Sequence, residues 1–194
     1  ITHVIFDMAG TTVQDKGHAV SQCLVDALLD YNVKVTLDQA RATMGKPKPV
    51  ALAELAEQMT GEAPTAEEVS NLFERFRQRM INYYETSVQV GPMPGAEKVF
   101  TELHAMGIKV TLDTGFSRQV VEAILNRLNW KVGETIEAYV ASDEVENGRP
   151  AADLVHEAMR RVGTPSTDEI AKVGDAAADL GEGPLPPRPQ RALT

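Results

Sequence analysis

Apolar and polar positions in this chain follow two alternating periods. Four short runs rich in β-branched and aromatic residues, THVIF (2–6), IKVTL (108–112), EAYVAS (137–142) and EIAKV (169–173), are predicted as buried strands, the last three each followed by Gly, Asp, Glu or Thr. Between the later runs the apolar spacing stretches to that of a helix. GAEKVFTELHAMG closes at Gly107, SRQVVEAILNRL begins at Ser117, and PAADLVHEAMRRVG closes at Gly163, where a helix C-terminus favours glycine. Strands and helices in alternation predict an α/β fold of Rossmann-like type, an open parallel sheet with right-handed crossovers.

Residues 14–89 break this alternation. HAVSQCLVDALLDY, LDQARATMG, PVALAELAEQM and AEEVSNLFERFRQRMINYY are helical in period, and no convincing strand lies among them. The expected organisation is a core of residues 1–13 and 90–194, an all-helical cap at 14–89, and VGPMPG (90–95) as the return linker. Helices inserted just after the first strand stand above the C-terminal edge of the sheet, where such sheets bind ligands, so the insertion is expected to act as a lid. At the other end, PLPPRPQRALT (184–194) carries prolines at 184, 186, 187 and 189. It is expected to form an irregular tail in place of a final strand.

Composition narrows the field. The 194 residues are 43% apolar and 24% charged, enough for one globular core with a small subdomain. A net charge of -9 argues against a nucleic-acid partner, which needs a basic face. A small anionic substrate stays compatible where local groups and a metal reverse the field. The lone Cys23 forms no internal disulfide, and neither a basic-plus-apolar leader nor a membrane-length apolar run is present. A soluble cytoplasmic protein with no membrane partner is expected, its oligomeric state left open, a homodimer included.

The candidate chemistry lies at the strand ends. Asp7 follows the first strand, Thr114 the second and Asp175 the fourth, while Arg149 is expected at the start of the helix after the third. Such positions converge in a parallel sheet. Asp7, Asp175 and Asp179 would then crowd three carboxylates around one point, which favours a hard cation among them, and Mg²⁺ is the natural occupant.

These residues carry a resemblance. DMAGT (7–11), Thr114 in LDTGFSR, Arg149 in NGRPAAD and the acidic pair in VGDAAAD resemble, in order, the four motifs of the haloacid dehalogenase superfamily of aspartate-nucleophile hydrolases. Ala9 followed by GTT, together with TGFSR, GRP and MGKPK (44–48), is similar to phosphonoacetaldehyde hydrolase and the phosphonatase-like members of that superfamily. The resemblance implies a Rossmann-like core with a cap and a Mg²⁺-dependent hydrolase working through an aspartyl phosphate. In it Asp7 is the nucleophile, and Thr114 and Arg149 hold phosphoryl oxygens. Asp7, the Ala9 carbonyl, Asp175 and Asp179 face the metal, and Thr11, Met44, Gly45 and Gly115 face the substrate. Two departures are visible: Ala51 stands where the phosphonatase pattern has a histidine, and Ala176 where a hydroxyl residue usually follows GD.

Ala9 poses the sharpest question. Phosphate-ester hydrolases of this kind place a carboxylic acid two residues after the nucleophile, where it protonates the leaving alkoxide. Cleavage of a carbon–phosphorus bond can dispense with that acid if a lysine first forms an imine with a neighbouring carbonyl, so that the departing electrons enter an enamine. Lys48 is the expected lysine. Pro49 suits the first turn of the following helix and would put Lys48 at its N-cap, where the helix dipole and Lys46 would both disfavour the charged amine. The expected substrate is a small phosphonate or related organophosphorus metabolite. The alternatives are a phosphate monoesterase of the phosphoglycolate-phosphatase kind, a metal-free dehalogenase, which would have no need of Asp175 and Asp179, and a catalytically weak binding protein. His3, His18, His104 and His156 show no ligand spacing.

Overall fold

The computed structural model describes residues 1–44, 46–175 and 179. The irregular tail expected at 184–194 lies outside the described residues, as does Gly45. Four strands, β1 (His3–Asp7), β2 (Lys109–Asp113), β3 (Ala138–Val140) and β4 (Ile170–Val173), form one parallel sheet in the order β3-β2-β1-β4. β1 is central and buried at all five positions, which is why it reads as a continuous apolar run and not an alternating one. Both β1 and β2 run one residue further than the apolar pattern predicts, each ending on an aspartate, and β3 is shorter than its six-residue run.

Helices cover both faces. α1 (Ala19–Leu29), α2 (Leu37–Arg41), α3 (Lys48–Thr60) and α4 (Ala66–Thr86) fall in the insertion, and α5 (Ala96–Ala105), α6 (Arg118–Leu128) and α7 (Asp153–Val162) belong to the sheet. Local chemistry sets their ends. Thr36 with Gln39 and Thr65 with Glu68 form reciprocal capping boxes that satisfy orphan amides at the starts of α2 and α4. Gly163 ends α7 in the left-handed conformation the sequence predicts.

One hydrophobic cluster joins Val4 and Phe6 on β1 to Phe100 on α5 and Val120 and Ile124 on α6, then continues into the insertion through Leu24, Leu52 and Phe76. A second gathers Ile5, Val140, Leu154, Val155 and Ile170 beneath α7. The buried stripe of α4, Leu72, Phe76, Met80 and Tyr84, recurs every fourth residue. Its last member meets Phe116 edge-on at 5.9 Å, tying the insertion to the loop after β2. The two connecting strands of chain lie side by side. Val13 bridges to Pro92, the Gln14 amide donates to the Gly91 carbonyl at 3.0 Å, and the Met93 amide to that of Thr12 at 2.8 Å. No helix among the described residues is long and apolar enough to cross a membrane.

Candidate active site

Parallel pairing dictates where the charged groups go. Asp7 and Asp113 are partners in register at the ends of β1 and β2, so their side chains leave the same face of the sheet side by side. Lys172 on β4 is in register with Ile5, two residues before Asp7, and therefore shares that face. Asp7, Asp113 and Asp179 are all buried, and each offers a carboxylate oxygen within 4.8 Å of the others.

Two cations hold this cluster together. Arg149 sits in the loop ahead of α7, four residues before the helix and not at its start. Its Nη1 reaches Asp7 Oδ1 at 2.8 Å and Asp179 Oδ1 at 2.9 Å, and its Nη2 reaches Asp113 Oδ1 at 2.8 Å. The Lys172 ammonium bonds the same Asp113 carboxylate and lies 3.7 Å from Asp179 Oδ1. Burial pushes the Asp7 carboxyl up to about 7. Arg149 opposes that rise, while Asp179 adds to it.

The turn after β1 brings its backbone around Asp7. The amides of Thr11, Thr12 and Val13 all donate to the Met8 carbonyl, and Thr12 Oγ1 donates to the Asp7 carbonyl at 2.9 Å. Gly10 adopts φ +91°, and a Cβ there would collide with the Asp175 carboxylate. Asp113, which the sequence reading did not include, joins Asp7 and Asp179 in the buried cluster, while Asp175 borders the same cavity at its exposed rim, accepting from Thr11 Oγ1 at 3.3 Å. β4 ends at Val173, so Asp175 lies beyond the ladder, free to turn toward solvent.

Above the cluster opens a cavity of about 1170 Å³ between the sheet edge and the insertion. Asp7, Ala9, Thr114, Gly115, Arg149 and Asp175 line its floor, and Met44, Lys48 and Phe73 come from the insertion above. Of the expected substrate contacts, Met44 and Gly115 therefore border the cavity, and Thr11 is engaged with Asp175 instead. Thr114 is buried, and its Oγ1 accepts from the Phe116 amide at 3.2 Å, which leaves the hydroxyl proton to donate.

Lys48 is brought to the cavity, by a different local route from the one predicted. Pro47 occupies the N-cap and Lys48 is the first residue of α3, with Pro49 following. The side chain is buried, and its amine is pushed down to about 8. Desolvation is the main cause and Arg149 the second, while Asp15 and Asp7 pull the other way. Lys46 is not the source of the shift, because it is exposed and paired with Glu54 at 2.6 Å. Ala51, one turn along α3, is fully buried.

The donor set suits a divalent cation. Among the described residues around the cavity floor, the carboxylates of Asp7, Asp113, Asp175 and Asp179 outnumber the cations Arg149 and Lys172. One oxygen of Asp113 is buried with no hydrogen-bond partner. Hard oxygen donors in excess of their counter-charges are what Mg²⁺ binds.

Asp113 and Lys172 escaped the reading of the sequence. The apolar run of β2 ends at Leu112, one residue short of Asp113, and so gives no sign that the strand continues. Lys172 was legible as a lone cation inside a buried strand, a placement that calls for a partner.

A family model for haloacid dehalogenase-like hydrolases matches residues 4–183. The chain belongs to that family. This haloacid dehalogenase-like hydrolase is 30% identical over 189 residues to a phosphonoacetaldehyde hydrolase of Bordetella pertussis, covering 93% of this chain and 67% of the relative. In fold it is similar to a hydrolase from Pseudomonas syringae, with TM-score 0.79 and 24% identity over 94% of this chain and 80% of that one. It is likewise similar to a phosphonoacetaldehyde hydrolase-like protein from Oleispira antarctica, with TM-score 0.81 and 24% identity over 94% and 68% of the two chains.

Proposed function

We propose that this haloacid dehalogenase-like hydrolase is a Mg²⁺-dependent phosphonatase that cleaves the carbon–phosphorus bond of a small aldehyde or ketone phosphonate. One observation carries the reading: a buried lysine with a depressed pKa, Lys48, shares a cavity with Asp7, while position 9 offers only alanine where ester hydrolysis needs an acid. The kinship with phosphonoacetaldehyde hydrolases supports it.

Neutral Lys48 attacks the substrate carbonyl, and the adduct takes up a proton and loses water to give a protonated imine. Asp7 then attacks phosphorus. The carbon–phosphorus bond breaks, its electron pair enters the enamine on Lys48, and the phosphoryl group is left on the Asp7 carboxylate. Thr114 and Arg149 donate to the phosphoryl oxygens as charge builds there. Water hydrolyses the aspartyl phosphate, and protonation and hydrolysis of the enamine free the carbonyl product and the lysine. Met44 and Gly115 border the carbon skeleton, and Thr11 acts through Asp175. Asp7, the Ala9 carbonyl oxygen, Asp175 and Asp179 are the residues we assign to Mg²⁺, with Gly45 beside the substrate. When bound, the ion supplies positive charge that offsets repulsion between carboxylate and phosphonate.

The test is release of free phosphate from a panel of phosphonates and phosphate esters, with Mg²⁺ and with EDTA. Turnover of an aldehyde phosphonate that needs Mg²⁺ is expected. Preference for esters would point to a phosphate monoesterase, and undiminished turnover in EDTA would contradict the metal assignment.

A further inference from the structure

Arg149 has to meet two demands. It must reach the phosphoryl group on one side and stay in place on the other, yet it rides on an irregular loop before α7 and not on a helix or strand. Its two terminal nitrogens are divided accordingly. Nη1 faces Asp7 and Asp179, at 2.8 and 2.9 Å. Nη2 faces the Asp113 carboxylate, at 2.8 Å, with the Asp113 carbonyl 3.5 Å away.

Asp113 is itself fixed. Its side chain is wholly buried at the end of β2, and the Lys172 ammonium from β4 bonds the same Oδ1 that Arg149 uses. β2 and β4 lie on either side of β1, so this pair spans the central strand just beneath the nucleophile. We infer that Asp113, braced by Lys172, is a positioning residue that anchors the Nη2 edge of Arg149 and leaves its Nη1 edge to exchange Asp7 and Asp179 for the phosphoryl oxygens of the substrate. Arg149 then pivots about a fixed point instead of leaving the site. A planar guanidinium can do this because its nitrogens are held in one rigid fork, which an ammonium lacks.

The inference rests on the phosphoryl-transfer reading above. The competing explanation is that Asp113 and Lys172 merely neutralise each other in the interior, in which case removing both charges together should be harmless. The full chain with Mg²⁺ is therefore compared as wild type, Asp113→Asn, Asp113→Asn with Lys172→Met, and each of these with Arg149→Lys. Melting temperature, kcat, KM and inhibition by inorganic phosphate are read.

Anchoring predicts that the double variant melts close to wild type yet keeps a kcat about 30-fold or more below it, with inhibition by phosphate weakened about tenfold. It also predicts that Arg149→Lys costs much in the wild-type background and little once Asp113 is gone. If Asp113→Asn is too unstable to purify, the double variant carries the comparison. Wild-type kcat and phosphate inhibition in the double variant would overturn the inference while leaving the proposed function standing. Failure of the wild type to release phosphate from any substrate would instead remove the function, and the inference with it.

Discussion

Asp7 is 4% exposed, and burial, with carboxylate neighbours adding to it and Arg149 opposing, holds its carboxyl above the usual carboxylate range. Its pKa rises from 3.8 to about 7. The sign follows from linkage: a raised pKa stabilises the fold fully below the unfolded value and loses that stabilisation as pH climbs through the folded value. In the metal-free protein, Asp7→Asn is therefore expected to melt above wild type at pH 8, by roughly 2–4 kcal/mol. The gap should close toward pH 4, and phosphate release should be abolished throughout. Melting curves across that range check it. For Lys48 the order is reversed, because its pKa is lowered to about 8 and the neutral amine is the reactive form. Below about 8, kcat/KM for an aldehyde phosphonate should fall about tenfold per pH unit. Lys48→Arg should lose about 10³-fold or more, since guanidinium stays protonated and forms no imine.

At the scale of elements, the strands and helices were legible because their periods are clean, and their last residues were not. The apolar run of β2 stops at Leu112, yet the ladder continues through Asp113, because an ion pair with Lys172 lets a carboxylate take a buried strand position. The helical period of α3 was readable as well. Its first turn was misplaced by one residue because Pro47 and Pro49 are both acceptable there, and only burial decides how deep Lys48 sits. The turn after β1 was marked by glycine, but the closeness of Asp175, far along the chain, was not. Gly10→Ala should cost about 2 kcal/mol, from the positive φ and the displaced Asp175 carboxylate. A fall in melting temperature together with weaker Mg²⁺ binding by titration calorimetry checks this.

For the whole molecule, the parallel sheet and the run of helices between β1 and α5 were readable from the changes of period along the chain. What pattern alone does not convey is that the insertion shares one hydrophobic cluster with the sheet and borders a cavity of about 1170 Å³. Lys48 is buried beside that cavity, and desolvation is the first cause of its depressed pKa. The proposed chemistry thus draws on parts distant in sequence: Asp7 from β1, Arg149 from the loop before α7 and Lys48 from the insertion. The most direct measurement is borohydride reduction during turnover of an aldehyde phosphonate, followed by mass spectrometry of the protein. The account predicts the substrate carbon skeleton fixed to Lys48 as a secondary amine, with activity lost in step. An unmodified Lys48, under conditions where phosphate is still being released, would contradict it.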